Sequence, residues 1–139
     1  MSDHQLTLWP KGWQPEHLSK MAQADRHVAG LSWTAIDAAL ARHLLVLSHA
    51  TTANEFLDAK LGQMLVGACQ VLVKAAAVRD NLEQTWIRMA VAYVLDTNDC
   101  APDLTALGGL DDDADVVLAL LDSLGAVELA GPLRKHLHR

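Results

Sequence analysis

From Met89 to Leu133 the chain has no Lys, Arg or His, yet nine acidic side chains fall within those 45 residues. The overall charge of −6 is therefore an average over unlike parts: this block carries −9 and the other 94 residues carry +3. A continuous acidic surface repels a phosphate backbone, and the bases elsewhere are scattered rather than gathered into a stripe, which argues against a nucleic-acid partner. Cysteine is nearly lacking. Cys69 and Cys100 have neither the spacing of a metal knuckle nor that of a redox pair, so free thiols in a reducing compartment are expected. Long apolar runs are missing too. The longest, Leu61 to Val73, is 13 residues between Lys60 and Lys74, whereas a membrane span needs about 20; a core helix is expected there. Met1 to Leu18 offers Asp3, His4, Pro10, Lys11, Pro15 and Glu16 where a signal peptide has its apolar core, so the expected location is cytoplasmic. Peripheral membrane contact through apolar helices stays open, opposed by the acidity because common membrane surfaces are negative.

What the chain does have is Leu and Ala, 46 of its 139 residues, against only 13 Val and Ile. That composition predicts an all-α protein, a compact bundle of about five helices in one domain. The expected organisation is an extended arm over residues 1–15, a helical domain over 16–130 and a basic tail over 131–139. The arm, rich in Pro and Gly around Trp9 and Trp13, suits packing by its aromatic side chains, either as a cap on its own domain or on a sister subunit. Helices are expected at Glu16–Ala29; from Ser32 as N-cap to about Ala50, with Trp33, Ile36, Leu40, Leu44 and Leu47 on one face; from Thr52 to about Val78; at Leu82–Leu95; and from about Asp112 to Leu124. In the third, Gly62 and Gly67 cost about 1 kcal/mol each relative to Ala unless another backbone packs closely there. Gly125, Gly131 and Pro132 are expected to end regular structure.

Between the last two of these helices lies an irregular acidic loop, within Tyr93 to Asp113, anchored by Leu104, Leu107 and Leu110 and dense in Asp. Side-chain turns and helix capping account for much of that density. A second reading folds Asp103 towards the Asp112–Asp113 pair as hard oxygen ligands for Mg2+ or Ca2+. The spacing fails the calcium-loop pattern, which wants Gly and Glu where Ala101 and Leu107 stand. A third makes the loop an acidic docking face for a basic partner. The same stretch resembles the YkvA-like family, small bacterial helical domains of uncharacterised function: Tyr93, Asp99, Pro102, Asp103, Gly109, Asp112 and Asp113 occupy the family's characteristic places without an insertion. Asp96, Thr97 and Ala106 depart from its Ser and two of its Pro positions. The resemblance implies a helix–loop–helix and marks Asp99, Asp103, Asp112 and Asp113, and it carries over no reaction.

Other candidate sites are thin. His43 and His49 lie about 600° apart around one helix, so His43 is expected as a core or boundary residue. Asp25, Arg26 and His27 are contiguous on a helix and point apart, unlike a triad. No nucleophile or acid–base pair stands out, so no reaction is assigned. The leading expectation is a non-catalytic helical protein-interaction domain, a homodimer or the binder of a protein partner, using Trp9, Trp13 and the acidic loop with Asp99, Asp103, Asp112 and Asp113, and needing no cofactor. The alternative is a divalent-metal-binding protein or metal-dependent enzyme centred on Asp103, Asp112 and Asp113. Helical stripes broader than a small monomer easily covers favour the first.

Overall fold

The computed structural model describes residues 9–53, 59–95 and 109–137. Among them are six α-helices and no strand: α1 (Pro15–Ala24), α2 (Trp33–Ala53), α3 (Ala59–Ala75), α4 (Asn81–Leu95), α5 (Gly109–Leu124) and α6 (Val127–Leu137), with 3-10 turns at Asp25–His27 and Ala76–Val78. Helix boundaries follow local chemistry. Pro15 opens α1, where its missing N–H is no loss, and the His17 Nδ1 accepts the Gln14 backbone N–H at 3.1 Å. Ser32 caps α2 as expected, its Oγ accepting the Ala35 N–H at 3.1 Å. Asp80 does the same for α4, accepting from the Glu83 N–H at 2.8 Å, while the Gln84 side-chain amide donates to the Ala76 and Arg79 carbonyls left open as the preceding turn ends. Gly125, at φ 72°, ends α5. The Ala126 N–H reaches the Leu121 carbonyl and the Gly125 N–H that of Asp122, the Schellman arrangement that glycine permits.

The main core is where α3, α4 and α5 meet. Leu61, Leu65, Val66, Cys69 and Leu72 of α3 pack with Ile87, Ala90, Val91 and Val94 of α4 and with Val116, Val117, Leu120 and Leu121 of α5, all buried. Helix α1 lies on α4, α6 on α5 and α3, and α2 chiefly on α3. The Asp25 carboxylate accepts from Arg88 Nε at 3.2 Å, tying the first 3-10 turn to α4.

Two expectations need correction. The basic tail is not irregular: residues 127–137 form α6 with Pro132 inside it. Ala126, Leu129, Ala130, Leu133 and Leu137 recur at helical spacing and pack on the core, and this burial outweighs the hydrogen bond that Pro132 removes. Arg134, Lys135 and His136 fall in the last turn, where cations complement the helix dipole. Nor does Thr52 open the third helix: it lies in the last turn of α2, and α3 runs over Ala59–Ala75, where a Cβ built at Gly67 meets nothing within 4 Å.

Candidate functional site

Among the described residues, the acidic side chains singled out from the sequence do not share one surrounding. Asp99 and Asp103 lie outside the described residues. Asp112 and Asp113 both stand in the first turns of α5, but one residue of helix turns a side chain by 100°, and the two meet different surroundings: Asp112 is exposed and Asp113 only 8% exposed. Asp113 faces α3, where its charge adds to burial in pushing the Cys69 thiol up to about 12. That thiol is protonated and inert at neutral pH. Among the described residues no group of three or more His, Cys, Asp or Glu side chains converges as metal ligands would. Asp25 is held by Arg88 in an ion pair that ties the first 3-10 turn to α4.

The two Trp of the arm serve their own chain. Trp13 is 7% exposed and donates its Nε1–H to the Val116 carbonyl at 3.0 Å; the ring of Trp9 stacks on it with centroids 6.4 Å apart. Gly12, at φ 106°, passes so close to α5 that a Cβ there would stand 3.2 Å from the Ala119 Cβ. Residues 9–14 thus form a strap seated on α5. The cap on its own domain is the arrangement observed for Trp9 and Trp13, and it buries Trp13 away from any outside partner.

His43 occupies the buried side of α2, and burial lowers its imidazole pKa from the ordinary 6.5. His17 is buried against the edge of the Tyr93 ring, centroids 5.8 Å apart. Lys60, Met64, Pro132, Lys135 and His136 line an open groove of about 470 Å³ between α3 and α6. Lys60–Val78 is, by length and composition alone, long and apolar enough to cross a membrane, and half of it is buried inside this fold, as a core helix is.

The surface that sequence reasoning passed over is the outer face of α2. Ile36, Leu40, His43 and Leu47 turn inward. Thr34, Ala38, Ala41, Arg42, Leu45, Val46 and His49 turn outward, with Leu45 66% and Val46 44% exposed. From Thr34 to His49, about four turns, the exposed residues carry a single permanent charge, Arg42, with the half-buried Asp37 one turn from Ala41. The signal was present: Leu45 and Val46 fall off the Ile36–Leu40–Leu47 line, so α2 is apolar on more sides than one neighbour covers.

No protein-family model, curated protein or solved structure matches the chain. Of the residues that carry the YkvA-like resemblance, Tyr93 lies two residues before the end of α4 and Gly109, Asp112 and Asp113 lie in α5, while Asp99, Pro102 and Asp103 fall outside the described residues.

Proposed function

We propose that the chain is a non-catalytic helical interaction domain that self-associates through the outer face of α2. One observation carries this reading: a 21-residue helix at the edge of the bundle, packed chiefly on α3, presents Leu45 and Val46 to solvent beside Ala38 and Ala41. Such a contiguous apolar face on a small soluble fold marks an interaction site. The location that goes with this reading is the cytoplasm.

Sedimentation equilibrium of the full chain tests it. The expected result is a mass that rises above 15.1 kDa with concentration, and falls back to the monomer value in the Leu45→Glu, Val46→Lys double variant, whose circular dichroism stays unchanged because both sites are exposed. A wild-type mass fixed at 15.1 kDa at every concentration overturns the proposal.

A further inference from the structure

We infer that the groove between α3 and α6 binds an amphipathic carboxylate, a monoanionic head carried on an unbranched apolar tail. This surface is separate from the outer face of α2, and the inference stands apart from the self-association reading. Lys60 and Met64 are four residues apart on α3, and Pro132, Lys135 and His136 follow i, i+3, i+4 spacing on α6. Each set therefore shares one face of its helix. The two helices pack together, and these faces flank the opening between them. Two kinds of chemistry meet there. Met64 and Pro132 supply a thioether chain and a ring, neither with a hydrogen-bond donor. Lys60 and Lys135, one from each helix, supply ammonium groups on four-carbon stems whose methylenes extend the apolar walls.

The charge on these walls is uncommitted. Arg79, Arg88 and Arg134 each hold a carboxylate, those of Glu83, Asp25 and Asp122. Among the described residues neither groove lysine holds one, and both are exposed. The ligand class follows from size and charge together. A volume of about 470 Å³ falls within the range of small-molecule sites, roughly 300–1,000 Å³. Five lining residues give too narrow a footing for a protein partner, which covers about 800 Å² on each side. A bare inorganic anion leaves Met64 and Pro132 in water, and a wholly apolar ligand makes no use of the lysines. The net charge of −6 disfavours a dianion such as a phosphate monoester more than a monoanion. A carboxylate with an alkyl tail meets every condition. Its head accepts charge-assisted hydrogen bonds from the lysines, and its tail lies along Pro132 and Met64, whose flexible thioether adapts to the contact.

Decanoate is the probe, titrated at neutral pH into the full chain with isotope-labelled methionine methyl groups and followed by NMR. The expected result is a saturable shift of the Met64 methyl signal, assigned by its loss in Met64→Leu, while the fully buried Met21 stays still. Decanol keeps the tail without the charge and acetate keeps the charge without the tail; each is expected to bind at least about tenfold more weakly. Lys60→Gln and Lys135→Gln are each expected to raise the decanoate Kd about fivefold, and together to abolish saturation. Both sites are exposed, so circular dichroism is expected to show the fold unchanged. An unmoved Met64 signal overturns the inference. Decanol binding as tightly as decanoate overturns it too, because the groove is then only an apolar surface. So does acetate or inorganic phosphate binding as tightly, or a double Gln variant that keeps the parent affinity.

Discussion

His43 shows what one buried side chain does to the whole chain. Its imidazole titrates below its ordinary 6.5 because burial penalises the cation. The unfolded chain therefore takes up a proton at this residue before the folded one does, and by linkage stability is full above pH 6.5 and falls as pH drops through that value towards the lower folded pKa. Urea unfolding of the full chain at a series of pH values is expected to show this loss, and His43→Leu is expected to flatten the part of the slope between pH 6.5 and the folded value. The residue scale also sets apart what composition suggested from what geometry allows. Asp112 and Asp113 look like a pair in the sequence, yet one is exposed and the other is buried near Cys69 of α3, so adjacent charges meet different surroundings.

At the scale of elements, two glycines carry opposite expectations. Gly67 lies in mid-helix with nothing near its missing side chain, so Gly67→Ala is expected to stabilise by about 0.5–1 kcal/mol through helix propensity and a less free unfolded chain. Gly12 has a positive φ and Ala119 close by, so Gly12→Ala is expected to destabilise, by more than about 1 kcal/mol. Thermal unfolding of the two variants beside the parent reads both signs. How far the elements were legible follows from the same kind of detail. Helices α2, α4 and α5 announce themselves by apolar spacing, and α2 also by its Ser32 cap. Helix α6 hides behind Gly131 and Pro132, whose local penalties are outweighed only by burial of Ala130 and Leu133, a tertiary fact that no window of sequence contains. The seat of the strap is hidden for the same reason: the sequence leaves open whether Trp13 packs on its own domain or on a sister subunit, and its hydrogen-bond acceptor, Val116, is 103 residues away. The outer face of α2 was legible in Leu45 and Val46, and the expectation of over-broad stripes pointed towards it without saying which helix.

For the whole molecule, the proposed association and the charge are in tension. Each copy carries −6, and an apolar seam contributes no ion pairs to offset the repulsion between copies. Raising NaCl from about 0.05 M to about 0.5 M is therefore expected to increase the dimer fraction, since screening weakens the repulsion while apolar contact persists. A mass that falls with salt would mean the copies meet through charge instead, acidic block against the Lys60–Lys135 groove, and would displace α2 as the seam. The strap has a consequence of a different kind. Because Trp13 closes on a carbonyl 103 residues further along, its seat does not exist until α5 has been made and placed. Docking of the strap is thus expected late in folding, on the native side of the barrier. Loss of the Trp13 hydrogen bond in Trp13→Phe is then expected to show as faster unfolding with an almost unchanged folding rate, so residues 9–14 would act as a latch on the lifetime of the fold.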